Sequence, residues 1–489
     1  MSKLLAFDLG AESGRAIVGH FDGERLALEE LHRFANGPVQ VFNRLYWDPL
    51  RLFAEMKQAL GLFASTHGKA LDAIGVDTWG VDFALLGPGD VLLDNPRNYR
   101  DPRTDGMLEE AFAQVPREEI FARTGVQFLK LNTLYQLLSL RDSPLLEWAQ
   151  TFLMMADLFN FYFTGTKTCE FSNATTTQFY DPRQGTWSID LLERLGLPTH
   201  FLSPIVQPGT RLGSLLPSIA TETGLGSVPV IAPATHDTGA AVAAVPAEVR
   251  DYAYISSGTW SLMGVELDQP LINDQAFQYN FTNEGGVGPT YRFLKNIMGL
   301  WLIQECRRAW QREGRAFSYD ELTAMAQSAA PFTAFVEPDA ECFLAPGDMP
   351  ARIRTYCRET GQVIPFDEGQ VARVALESLA FKYRYVLDAL ETILGRRLEC
   401  IHIVGGGIQN RLLCQFTASA TGRPVVAGPL EATAIGNLML QLIGLGQMNS
   451  LAEIRQVVRH SFAPVVYEPE QASAWDAAYD RFRPLLSPA

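Results

Sequence analysis

The chain has 489 residues, more than a single hydrophobic core organises, so about two or three domains are expected. With 47% hydrophobic and 19% charged residues, its composition excludes intrinsic disorder. Forty basic against 55 acidic residues give a net charge of −15 without any basic run, which argues against a nucleic-acid partner.

The six cysteines (Cys169, Cys306, Cys342, Cys357, Cys400 and Cys414) form neither a CxxC pair nor a metal-ligand spacing with histidine. They read as reduced thiols of a cytoplasmic protein. Few apolar residues precede Asp8, too few for a secretory signal core, and Asp157 and His236-Asp237 interrupt the most apolar later stretches, so no membrane partner is expected.

The first element, KLLAFDLGAESGRAIVGHF (3–21), is a hydrophobic run, an acidic residue, a small Gly-punctuated turn and a second hydrophobic run. It predicts a hairpin. RLALEELHRF (25–34) alternates and reads as a third strand, and WDPLRLFAEMKQALGLFAS (47–65) has helical spacing with Asp48 and Pro49 at its start. LDAIGVDTWGVDFALL (71–86) reads as a buried strand interrupted by polar residues, and ATHDTGAAVAAV (234–245) sets His236-Asp237-Thr238 before a closely packing run of small residues.

DYAYISSGTWSLMGVEL (251–267) repeats the grammar of the opening, so two domains are predicted, 1–245 and 246–489, each beginning with a strand–turn–strand hairpin. In LKNIMGLWLIQ (294–304), Asn296, Leu300 and Gln304 fall at i, i+4 and i+8, which predicts one face of a helix. VARVALESLAFKYRYVLDALETIL (371–394) is a long amphipathic helix closed by Gly395; CIHIV (400–404) is a buried strand, GGG (405–407) a turn, and 408–422 a helix. Such alternation argues an α/β fold.

Three of these elements have chemical potential. In DLGAESGR (8–15), small residues let backbone N–H groups approach phosphate oxygens, and Asp8 belongs beside phosphate only if a cation such as Mg²⁺ intervenes. SSGTWS (256–261) is a second such turn without an acid, and IVGGG (403–407) ends a buried strand on a surface bare of side chains. Each also reads as an ordinary tight turn. Neither a Walker A motif nor a well-formed GxGxxG is present. A buried charge such as Asp237 is costly unless paired or used, which makes it a candidate base.

DLGAESGR, VDTWGVDF, THDTGAAV, SSGTWSLMG, KNIMGLW and IVGGGIQN, in this order along the whole chain, resemble the carbohydrate kinases of the FGGY family. VDTWGVDF, NATTTQ (173–178), TNEGG (282–286) and HIVGGGIQN are most similar to the members acting on L-rhamnulose. The resemblance implies two ribonuclease H-like, actin-like ATPase domains with an active-site cleft between them. The N-terminal domain would bind sugar and carry the first phosphate hairpin; the C-terminal domain would bind nucleotide. The implied reaction is phosphorylation of the 1-hydroxyl of L-rhamnulose by ATP in L-rhamnose catabolism, with another ketose (L-fuculose, L-ribulose or L-xylulose) as the alternative.

On the same resemblance, Ala11, Glu12, Ser13, Gly14, Arg15 and Thr259 would hold phosphates, with Asp8 organising Mg²⁺, and Gln304 and Gly406 would contact ATP. Gly80, His236, Asp237, Thr238 and Asn296 would contact the sugar, Asp237 as base. Glu12 departs from a comfortable phosphate neighbour and is expected to point away. A sugar-sensing regulator on the same fold and an actin-like filament protein remain as readings of another class.

Overall fold

The structure, a computed structural model, describes residues 1–486. It is a mixed α/β protein, as the alternation predicts. Its compact units do not follow one cut in the sequence. The first comprises Met1–Ala244, Glu266–Phe293 and Ala432–Ser461; the second comprises Val245–Val265, Leu294–Glu431 and the chain from Phe462 on.

The first unit is built on a six-stranded sheet. Its strands are β1 (Ser2–Leu9), β2 (Ser13–Phe21), β3 (Leu26–Ala35), β4 (Ala73–Thr78), β5 (Thr210–Ser214) and β6 (Pro229–Ala232), in the order β5-β6-β4-β1-β2-β3. β1 and β2 form the expected antiparallel hairpin, with Asp8 opposite Arg15. On its other side β1 pairs in parallel with β4, which puts Asp8 beside Asp77. The stretch 71–86 is two strands rather than one, because the chain turns at Trp79–Asp82 before Phe83–Leu86.

Period-two alternation decides what each face of this sheet meets. Leu5, Phe7, Leu9, Ile74 and Val76 join one core with Leu52, Met56, Leu60 and Phe63 of the helix Pro49–His67. That helix begins as predicted: Asp48 accepts from the Arg51 N–H at 3.1 Å, and Pro49 opens the first turn. The alternate residues of β4 face the helix Ala432–Gly444. Gly75 leaves room for Asn437, whose Oδ1 would lie 2.3 Å from a Cβ there, and Asn437 donates to Asp77 at 2.6 Å. The run after Asp237 is the helix Asp237–Ala243, packed on the same partner so closely that a Cβ on Gly436 would sit 1.8 Å from the Ala240 carbonyl oxygen.

The second unit repeats the motif. β7 (Tyr252–Ser257) and β8 (Trp260–Leu267) form an antiparallel hairpin, and β7 pairs in parallel with β10 (Cys400–Val404). Six of the seven strands of its sheet run β9-β8-β7-β10-β11-β12, where β9 is Tyr291–Met298, β11 Val425–Ala427 and β12 Val465–Tyr467. The long predicted helix spans Glu368–Leu394, capped by Asp367 and ended by Gly395 at φ +64°. Its Phe381 packs among Phe335, Trp475 and Phe482.

The Ala240–Gly436 contact makes a direct prediction. Gly436→Ala should lower unfolding free energy by about 1–3 kcal/mol, because backbone rather than a flexible side chain must yield. Urea denaturation of the variant beside the parent protein measures it.

Candidate active site

In the first unit the chemistry gathers where β1 and β4 end. Arg15 donates to Asp8 across the hairpin at 2.5 Å, while Asp77, fully buried, accepts from Asn437 with one oxygen and has no hydrogen-bond partner on the other. Burial, then the neighbouring Asp8 carboxylate, pushes Asp77 well above the usual carboxylate range. Asp77 is the site residue that sequence reasoning passed over. Its signal was an acid within a six-residue buried strand.

His236 and Asp237 follow β6, and His236 bridges in parallel to Thr78, the last residue of β4. Behind them lies a second group that the sequence did not announce. Buried Glu170 accepts from the Ser172 N–H (2.9 Å) and hydroxyl (2.5 Å) and from the Thr235 N–H (2.9 Å) and hydroxyl (2.8 Å). The Ser172 hydroxyl oxygen in turn accepts from the His236 N–H at 3.0 Å. These bonds fix the backbone that presents Asp237.

The Asp237 side chain keeps 31% of its surface accessible and is held by the Thr238 N–H at 2.6 Å. Burial raises its pKa; the His236 imidazole opposes the shift and the Asp8 carboxylate adds to it. His236 lies between acids, its Nε2 3.4 Å from Asp237 and its Nδ1 3.2 Å from Glu284. Arg292, fully buried, is 3.2 Å from the same Glu284 oxygen and donates to Gly285 O at 2.9 Å. TNEGG thus contributes through Glu284.

Gly80 borders this group: a Cβ there would meet His236 Nε2 and Thr176 Cγ2, each at 3.3 Å. The next residue, Val81, has φ +66°, a strained conformation for a β-branched side chain. Its backbone is held by the Thr176 hydroxyl oxygen, which accepts its N–H at 3.2 Å, and by the Thr133 hydroxyl, which donates to its carbonyl at 2.7 Å. Asp82 anchors the other end of the turn, accepting from Trp47 (2.6 Å), Trp79 (3.0 Å) and Gln136 (2.9 Å).

The phosphate-type turn has a different internal logic from the one expected. Asn36 donates to Gly10 O at 2.7 Å and its N–H to Glu12 O at 3.0 Å, so the turn is tied to the end of β3. Gly14 is small because a Cβ would strike the Phe34 ring at 2.2 Å, a packing requirement rather than room for a ligand. Ala11, Ser13 and Arg15 are half-buried around it, and Glu12 is exposed.

In the second unit Thr259 turns the β7–β8 hairpin, and its carbonyl accepts from Gly299 (3.1 Å) and Trp301 (3.2 Å). The glycine run lies against the same hairpin. A Cβ on Gly407 would sit 2.0 Å from Ser257 Oγ, whereas one on exposed Gly406 would meet nothing within 4 Å. Gly406 therefore presents bare backbone outward.

The helix face predicted for Asn296, Leu300 and Gln304 does not exist. Asn296 lies in β9, and the helix begins at Trp301, so only Gln304 is helical; its Oε1 is buried without a hydrogen-bond partner. The break falls at Gly299, where a Cβ would sit 2.6 Å from Ser261 Oγ and 2.7 Å from the Trp260 carbonyl carbon. Asp339, held by buried Lys382 at 3.0 Å, accepts the Met298 N–H at 2.7 Å and fixes the strand end.

Gly80, His236, Asp237 and Thr238 are thus brought together in the first unit, with Asp8 and the Ala11–Arg15 turn nearby in the same unit. Asn296, Thr259, Gln304 and Gly406 belong to the second. The oxygens of Asp8 and Asp77, one of them an orphan, are the hard donors that a small divalent cation takes, and positive charge would offset what burial and the Asp8 carboxylate impose on Asp77.

Models of known families match both halves of the chain: the N-terminal domain of the FGGY family of carbohydrate kinases over residues 3–244 and the C-terminal domain of that family over 253–445. A rhamnulokinase of Bacteroides thetaiotaomicron is 46% identical over 98% of this chain and 99% of its own length. One of Oceanobacillus iheyensis is 44% identical over 95% and 97%. Among solved structures, a ligand-bound xylulose kinase from Lactobacillus acidophilus shares the fold with a TM-score of 0.81 at 18% identity, covering 99% of this chain and 98% of that one. Plasmodium falciparum glycerol kinase with ADP does so at 0.77 and 15%, covering 100% and 99%.

The raised Asp77 carries a stability consequence. Its pKa is higher folded than unfolded, so the native state holds the extra proton and stability falls as pH rises above the ordinary carboxylate range. Asp77→Asn should melt at a higher temperature than the parent at neutral pH in metal-free buffer, and the difference should shrink in acid. Thermal melts across that range check it.

Proposed function

Because the chain belongs to the FGGY family of carbohydrate kinases, with ATP as co-substrate, we propose that it phosphorylates the 1-hydroxyl of L-rhamnulose. The first unit binds the sugar and the second most of the nucleotide. The observation that carries the catalytic part of this reading is Asp237, a half-open carboxylate whose pKa burial raises, held by Thr238 and backed by the Glu170 network.

Gly80, His236 and Thr238 shape the sugar site around it, and Asn296 is the further sugar contact that the family resemblance implies. Asp237 accepts the proton of the 1-hydroxyl as the sugar oxygen bonds to the γ-phosphorus and the bond to ADP breaks. General-base help of this kind contributes about 10²–10⁴-fold, and a raised carboxylate pKa makes the transfer easier. Glu284 and Arg292 orient His236 from its far side. The turn Ala11–Arg15 and Thr259 hold phosphates, while Gln304 and Gly406 contact ATP.

The residues fit Mg²⁺: Asp8, and Asp77 beside it, would hold the ion. When bound, it neutralises charge on the transferring group, which is most of what phosphoryl transfer asks of a protein besides positioning. Arg15 adds a fixed positive charge at the same strand end.

ADP release measured with Mg-ATP and a panel of ketoses tests the proposal. Turnover should be selective for L-rhamnulose, and Asp237→Asn should lower kcat by about 10²–10⁴-fold while ATP binding persists. Turnover with another ketose alone would reassign the substrate. Folded, ATP-binding protein without sugar-dependent turnover would make the chain a sensor.

A further inference from the structure

Outside that site, among the described residues, one cluster of histidine and carboxylate side chains brings a possible ligand atom from each within 4.8 Å of the others: His20, Glu29 and His67. We propose that these three residues form a binding site for one divalent transition metal of the Zn²⁺ type, with a further position open to water.

The fold builds the cluster from three elements. In the β2–β3 pairing His20 lies opposite Ala27 and Glu29 opposite Val18, so His20 and Glu29 are diagonal neighbours on one face. That face is covered by the helix Pro49–His67, whose last residue supplies the second imidazole. Glu29 divides its oxygens between the two rings: Oε2 lies 3.4 Å from His20 Nε2 and Oε1 3.2 Å from His67 Nε2. Ligand atoms about 2.0–2.2 Å from a tetrahedral ion are separated by about 3.3–3.6 Å, a spacing that each carboxylate–imidazole pair already approaches.

Two imidazoles and a carboxylate are the donor set for zinc rather than for magnesium, which prefers oxygen alone. The surroundings hold the ligands in place. The Phe63 ring stacks on His67 with centroids 5.0 Å apart, and Lys3 Nζ donates to the His67 carbonyl at 3.2 Å, fixing the helix end. The side chains of His20 and His67 are mostly covered, while Glu29 is 48% exposed, which leaves an entry path from solvent. An ion here would clip the β2–β3 hairpin to the helix and stabilise the first unit without entering the reaction.

The test uses the full chain, stripped with chelator and desalted, titrated calorimetrically with ZnCl₂ alone. One ion should bind per cluster, and a hundredfold excess of free ion over its dissociation constant should raise the melting temperature by about 3 °C. His20→Ala and Glu29→Gln should each weaken this binding by about tenfold or more, Cys342→Ser, at an exposed thiol, should not, and Mg-ATP turnover of His20→Ala should match the parent. His67→Ala serves as the third variant if it folds, and Co²⁺ substituted for Zn²⁺ should give a tetrahedral visible spectrum lost in His20→Ala. No Zn²⁺ binding by the folded parent, or binding that survives unchanged in both His20→Ala and Glu29→Gln, overturns the proposal.

Discussion

The parallel pairing of β1 with β4 is the constraint on which the rest depends. It sets Asp8 and Asp77 side by side at the ends of two adjacent strands, one beside a guanidinium and the other buried with an unpartnered oxygen. Burial first, and then repulsion from the Asp8 carboxylate, raises the proton affinity of Asp77 in the folded state. Positive charge lowers it. The cation proposed at this pair would supply such charge.

The remaining parts of the first unit follow from holding that arrangement still. Asn437 reaches Asp77 because Gly75 leaves the space, and Gly436 lets its helix approach the helix that Asp237 begins. Glu170, wholly inside, ties Ser172, Thr235 and the His236 backbone into one network, so Asp237 is presented on a rigid base. The strained Val81 beside Gly80 belongs to the same economy: surrounding hydrogen bonds hold a conformation that the side chain disfavours, next to the histidine.

Much of this was legible in the sequence where local pattern and local structure coincide. The opening hairpin, the helix capped by Asp48, the long helix ended by Gly395 and the strand CIHIV are all present, because each is specified by its own periodicity and punctuation. Asn296 to Gln304 was misread because helical spacing in an apolar run does not exclude a strand that ends at a glycine. The break falls where Gly299 meets Trp260 and Ser261, nearly forty residues back, which no window contains. Asp77, Glu170 and Glu284 escaped for the related reason that an acid becomes a site residue only through its neighbours. Their neighbours come from strand register and from turns nearly fifty residues away or more.

This carboxylate cluster is the proposed reaction centre. The most direct measurement is a crystal structure of the protein with Mg²⁺, L-rhamnulose and a non-hydrolysable ATP analogue. The sugar's 1-hydroxyl oxygen should lie within hydrogen-bond distance of Asp237, and the cation should be held by Asp8 and Asp77. A 1-hydroxyl turned away from Asp237, with the cation held by other residues, would contradict that assignment.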